Sequence, residues 1–350
     1  MAFIARVRKS VETMSPGYFS MVMATGILSI AAQLLHHPRV ALGLFVLNWL
    51  LFGIICLLAL GRAFWHPRKT LADLTDHLQA PGFFTFVAAC AVLGSQCLLI
   101  AGNVALAMLL AGVALVAWVI LTFTIFTALT VKADKPTLDR GINGGWLLAV
   151  VATQSLAVMG AQLAAHVPQP VRLELNFFAL SMWLWGGMLY IWIVSLIFYR
   201  YTFMRFSPGD LSPPYWINMG AMAISTLAGA LLIENTPHAP FIQSMLPFLK
   251  GFTVFYWATG TWWIPMLLVL AIWRHGIRRF PFTYDPMYWG AVFPLGMYAT
   301  ATLRMLQVME LDFLGFLPRF MFVVGCSAWL LLFTGQLRSL RRNWVALGRA

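Results

Sequence analysis

DPMYWGAVFPLGMYATATLR, residues 285–304, is the stretch whose reading decides the fold. Asp285 is a helix N-cap, and Pro286 stands at the first helical position, where a missing N–H costs nothing. About twenty mostly apolar residues follow, enough to cross a bilayer core of roughly 30 Å. Pro294 lies inside the run and cannot donate to the carbonyl of Gly290, so a hinge is expected there, beside the ring of Phe293. Backbone freed at membrane depth is tolerated only where protein or a water-filled cavity satisfies it. A bent helix with a phenyl group at its bend suggests a constriction in a pore.

The same opening occurs four more times. Pro16-Gly17-Tyr18-Phe19, Pro81-Gly82-Phe83-Phe84, Asn143-Gly144-Gly145-Trp146 and Pro213-Pro214-Tyr215-Trp216 each begin an apolar run. Aligned on Phe19, Phe84, Trp146, Trp216 and Trp289, the copies are 65, 62, 70 and 73 residues apart. Each interval holds two membrane helices and their turns. Five helical hairpins are therefore expected as an internal repeat.

Composition fixes the class. Hydrophobic residues make up 61% of the chain and charged residues 10%, with a mean hydropathy of +0.81, as in an all-α polytopic membrane protein and unlike a soluble domain. Spans are expected near 16–35, 39–62, 81–101, 104–130, 144–165, 175–200, 213–233, 248–273, 286–308 and 313–336. The first is read as a span and not a cleaved leader, because it carries the first copy of the repeat. Residues 1–350 read as one membrane domain.

With alternate loops assigned to alternate sides, one side carries 18 of the Lys and Arg residues and the other carries Arg39, Arg172, Lys250, Arg304 and Arg319. The positive-inside rule then places both termini in the cytoplasm of a cell whose plasma or inner membrane holds the protein. The net charge of +12 is a topology signal, and no basic soluble domain offers itself to nucleic acid.

Chemistry is sparse. The seven histidines fall in loops or at span ends, with no facing pair for haem. Cys56, Cys90, Cys97 and Cys326 lack metal-type spacing and read as small apolar residues. There is no HExxH, Walker loop or GxSxG. No cofactor, metal or catalytic residue is expected, and an enzyme or sensor subunit is the rival from another class. No acid sits at mid-span, whereas ion-coupled carriers usually place one there. Passive conduction or uniport of small anions follows, within the lipid bilayer.

The first helix of every hairpin brings its N-terminal end, with unpaired N–H groups and the positive end of its dipole, to the basic side. Five such ends in a ring would attract anions. The second helices hold most of the tryptophan and the first helices most of the small residues, so an inner ring of first helices inside an outer ring of second ones is expected. Four residues beyond the aligned aromatics stand Met23, Ala88, Val150, Gly220 and Phe293, one level of a pore on one helical face. Phe293 alone is aromatic there; it is either a gate or core packing. Gly296 and Thr300 are further candidates for the lining. Arg304 is either an anion-attracting residue at the outer mouth or an interface arginine paired with Glu310.

PGYFSMVMATGI at 16–27, PPYWINMGAMAI at 213–224 and WGAVFPLGMYATAT at 289–302 resemble the tellurite-resistance/dicarboxylate transporter family. Its relatives include the slow anion channels of plant guard cells and fungal malate and sulfite permeases. The resemblance covers essentially the whole chain. It implies ten helices in five hairpins around a central pore, a homotrimer, anion transport and a phenylalanine gate in the ninth helix, matched by Phe293. The substrate does not carry over, since members differ on it; C4-dicarboxylates or other small organic or inorganic anions are the expected class, with sulfite or tellurite-related export as the alternative.

Overall fold

A computed structural model describes residues 2–281 and 284–348, with side chains described over 7–281 and 284–341. Of the basic residues counted above, the side chains of Arg6, Arg342 and Arg349 lie outside the described residues.

Five short 3₁₀ turns, Pro16–Phe19, Ala80–Phe83, Gly144–Leu147, Pro213–Trp216 and Pro286–Tyr288, each feed a long helix. These inner helices are α1 (Ser20–Leu34), α3 (Phe84–Leu99), α5 (Leu148–Ala164), α7 (Ile217–Asn235) and α9 (Trp289–Met309). Each is followed by an outer helix: α2 (Pro38–Trp65), α4 (Val104–Val131), α6 (Val171–Phe203), α8 (Leu246–Ile272) and α10 (Phe316–Gly348). The turns form as the sequence dictates. Ser15, Asn143 and Asp285 each accept a bond from the backbone N–H two residues on, at 3.2, 2.8 and 2.8 Å, satisfying a donor that the helix start leaves orphaned. The short link between α3 and α4 works because Gly102 takes φ +61° and Asn103 caps the next helix by accepting from the Leu106 N–H at 2.9 Å.

The five inner helices touch in the cyclic order α1, α3, α5, α7, α9 and back to α1, a closed ring. In α1, α3, α5 and α7 between 78 and 94% of the apolar stretch is buried, against 17 to 44% in the outer helices. That contrast places the outer helices as a second layer with lipid-facing sides. Nine helices among the described residues are long and apolar enough to cross a membrane. The remaining inner helix, α9, is diluted by Pro294, Arg304 and Gln307, yet it packs between α1 and α7 as the fifth member of the ring.

Buried hydrogen bonds stitch the layers together. Trp118 of α4 donates to Thr153 of α5, Trp183 of α6 to the Ser225 carbonyl of α7, Trp257 of α8 to Thr302 of α9, and Trp329 of α10 to Thr25 of α1, all at 2.8–3.0 Å. In the remaining repeat, Asn48 of α2 donates to Gln96 of α3 at 2.7 Å. Every outer helix thus gives an N–H to the inner helix of the next repeat, where hydrocarbon offers no competing water. Placing large rings in the outer layer puts Trp185, Trp192 and Trp262 toward lipid, but it also supplies these inward-turned donors.

Candidate functional site

Counting four residues from Ser15, Ala80, Asn143, Ser212 and Asp285, the residue preceding each turn's Pro or Gly, aligns Phe19, Phe84, Leu147, Trp216 and Trp289. The third repeat therefore differs by one residue from an alignment on aromatics, which takes Trp146. The Trp146 indole instead turns back to donate to the Gly141 carbonyl at 2.9 Å. Counted from these five anchors, the inner helices present matched rings to the axis.

The first ring, one residue on, is Ser20, Thr85, Leu148, Ile217 and Gly290. All five line a vestibule of about 570 Å³ at the turn end of the bundle. Rings eight and eleven residues on are Ile27, Val92, Ser155, Ile224, Met297 and then Ile30, Ser95, Val158, Leu227, Thr300. With the ring fifteen residues on (Leu34, Leu99, Gln162, Leu231 and Arg304), they line a bore of only about 20 Å³. That is room for roughly one water. Leu99, Gln162, Leu231 and Arg304 also line a second vestibule of about 560 Å³ at the far end.

Between the first vestibule and the bore lies the ring four residues on: Met23, Ala88, Val151, Gly220 and Phe293. It lines neither space, and Met23, Ala88, Val151 and Phe293 are each no more than 1% exposed. Phe293 shares the α9 face of Met297, Thr300 and Arg304, at spacings of four, seven and eleven. Val151 holds the matching place on α5; Val150 lies on the face of Thr153, which is turned to Trp118 of α4. Gly220 is needed for the fit of its neighbour: a Cβ there would come within 2.7 Å of Pro294 Cγ. The Pro294 ring thus packs toward α7, and α9 continues through Phe293 and Pro294. Gly296 is placed at the contact with α1, where a Cβ would meet Ile27 Cγ2 at 2.9 Å. Thr300 lines the bore and donates its hydroxyl to the Gly296 carbonyl at 3.1 Å.

The two vestibules differ in charge. At the turn end Arg62 pairs with Asp73 at 2.6 Å and Lys69 with Glu12 at 2.8 Å, leaving Asp285 as a third acid. The hydrogen-bonded Lys69 ammonium lowers the Glu12 carboxyl below its ordinary range. Side chains therefore add no net positive charge here, and the positive potential at this end comes from the backbone N–H groups of five helix starts. Clamps on the outer helices hold these starts. Arg200 of α6 donates to the carbonyl of Ile142 at 2.7 Å, just before Asn143, and Arg274 after α8 does the same to Leu211, just before Ser212.

At the far end the charged lining is Arg172, Arg304 and Glu234. Arg172 Nε donates to the carbonyls of Ala164 and Val167 at 3.1 and 3.0 Å, closing the C-terminal end of α5. Arg304 faces Glu234 at 3.8 Å, so its acidic neighbour is on α7 and is not Glu310. No cluster of metal-ligating side chains occurs among the described residues.

An uncharacterized membrane protein of Mycobacterium tuberculosis is 35% identical over 162 residues, spanning 46% of this chain and 82% of the relative. An uncharacterized transporter of Methanocaldococcus jannaschii is 25% identical and covers 87% of this chain and 88% of its own. A sulfite efflux pump of Trichophyton rubrum is 24% identical over 93% of this chain and 90% of its own. Residues 13–337 match the SLAC1 family, described as voltage-dependent anion channel. With that match spanning the ring of five helices and both vestibules, the chain belongs to the voltage-dependent anion channel family.

Proposed function

We propose that the axis is a passive path for small anions, a channel or uniporter, with Phe293 as its gate. The observation that carries this reading is the pair of vestibules on one axis, separated by a water-sized bore and by one closed ring that includes a phenylalanine. A hydrophobic constriction of this kind stops ions by dewetting, without holding them. Met23, Ala88, Val151 and Gly220 supply the rest of that ring, Thr300 and Arg304 line the path beyond it, and Pro294 fixes the direction of the phenyl group. The whole chain acts as one transport domain.

The turn end faces the cytoplasm of the plasma or inner membrane, since the basic loops gather there. Cysteines placed at Gln169 and Ser339 in a cysteine-free background then label from opposite sides. The resemblance supports a homotrimer with one path per protomer, which native mass spectrometry in mild detergent reads directly. C4-dicarboxylates are the favoured substrates. The kinship with fungal sulfite efflux pumps supports sulfite export as the second reading. Planar-bilayer reversal potentials under malate, sulfite and chloride gradients separate the two. Absence of any anion current or flux from folded protein would sink the path itself.

A further inference from the structure

The ring that joins the bore to the far vestibule is unlike the others. Leu34, Leu99 and Leu231 are apolar, but Gln162 on α5 and Arg304 on α9 are N–H donors. The two helices are not neighbours; α7 lies between them in the ring, so the two side chains approach the rim from different sides.

The Gln162 amide is oriented by α3. The Ser95 hydroxyl donates to Gln162 Oε1 at 2.7 Å, which engages the acceptor end of a side chain that lines both the bore and the far vestibule and leaves its NH2 group as the donor end. Arg304 is loosely held. Its Nη1 lies 3.8 Å from Glu234 Oε1 and 3.5 Å from Gln307 Oε1, long for charge-assisted bonds of about 2.7–2.9 Å. Among the described residues, the Arg304 guanidinium at the mouth of the bore thus makes only these two long contacts. The nearby carboxylate of Glu234 belongs to the protein itself.

The geometry points to a selective oxyanion site at this rim, formed by the Arg304 guanidinium and the Gln162 NH2, positioned by Ser95 and competed for by Glu234. This inference rests on reading the axis as an anion path, and it names where that path discriminates. The planar fork of arginine matches two oxygens of one carboxylate or inorganic oxyanion, and the amide adds a third directed donor. A halide has no such arrangement of acceptors. Selection at the rim is therefore for oxygen geometry as well as for charge.

Thermal melting of the purified full chain in detergent, titrated with malate, sulfite, sulfate or chloride at constant ionic strength, tests the site without requiring transport. Wild type is expected to be stabilised saturably by at least one of the oxyanions and not by chloride, and the oxyanion that acts identifies the source. Gln162→Glu, which keeps size but replaces the donor by a carboxylate oxygen, should abolish that shift. Ser95→Ala should weaken it several-fold, and Glu234→Gln should lower the half-saturating concentration several-fold. Arg304→Lys, which loses the planar fork, should lose the preference for oxyanion over chloride in reversal potentials. An oxyanion shift unchanged in Gln162→Glu, or no shift with any oxyanion in wild type, overturns the site. Normal flux beside such melts would leave the transport reading standing. Saturable shifts beside a total lack of flux would do the reverse.

Discussion

The α9 helix differs at the axis from the four inner helices that precede it. At the closed ring α1, α3, α5 and α7 present Met23, Ala88, Val151 and Gly220, while α9 presents Phe293. At the far rim three of the four present leucine and α5 presents Gln162, while α9 presents Arg304. The α9 helix also carries the proline, and it alone among the inner helices falls short of the apolar content expected of a span. Repetition builds the ring of five helices, and α9 departs from the repeat in its phenylalanine, its internal proline and its arginine.

The largest effect expected from breaking this asymmetry comes from Phe293→Ala. As pure packing, the change would cost about 3–5 kcal/mol and reduce folded yield. As a gate, yield and melting stay near wild type while basal anion conductance rises by about tenfold or more, since about 1.4 kcal/mol of barrier is already worth a factor of ten. A well-folded variant that conducts like wild type would refute the gate. Moving the ring to a sister helix sharpens the test. In the Phe293→Ala background, Val151→Phe should return conductance toward the wild-type level, because α5 then presents the phenyl group at the same height. Val150→Phe should not block, and overpacking between α4 and α5 should lower stability by about 1–3 kcal/mol. Block by Val150→Phe in place of Val151→Phe would overturn the alignment of the third repeat.

A smaller change is expected at the rim. Arg304→Gln should reduce anion flux or selectivity several-fold with the fold intact, seen as a shift in reversal potential. Unchanged potentials would reduce Arg304 to a partner of Glu234, a half-exposed pair of the sort that contributes about 0–1 kcal/mol. Smallest is Gly220→Ala, whose Cβ would press on Pro294 at 2.7 Å. It should lower stability by about 1–3 kcal/mol, read as a drop in melting temperature, and Pro294→Ala should relieve it. Neutrality of Gly220→Ala would mean that α7 and α9 are not closely engaged there.

Most of the fold was legible in the chain because each repeat opens with chemistry that has one use. Pro after Ser, Ala or Asp, and Gly after Asn, mark helix starts, and run length then fixes hairpins and their boundaries to within a few residues. The site was half legible. Thr300 and Arg304, which line the bore, follow from one helix face, but the third repeat has Gly-Gly in place of Pro, and an alignment on the neighbouring tryptophan selects Val150 where a count from the cap Asn143 selects Val151. Gln162 could not be singled out, because its role depends on Ser95 from another repeat, and no pattern within one helix encodes that meeting. The partner of Arg304 was missed for the same reason: Glu310 is close in sequence, whereas Glu234 is close in space.

The bond from Trp329 to Thr25 spans 304 positions of the chain. During synthesis the other four stitches can form as each new hairpin arrives, every one reaching only to the next repeat. This one must wait until nearly the whole polypeptide has been made. Until then Thr25 and the open side of α1 face lipid or a chaperone, and the barrel stands with a slit along its length. The final hairpin is thus both the last to be inserted and the one bearing Phe293. The ring therefore closes only when the hairpin that carries Phe293 has been inserted, and before that step the other four inner helices form an open arc. A chain truncated before α9 should accordingly be caught by membrane quality control as an open arc, and should not accumulate as a conducting pore.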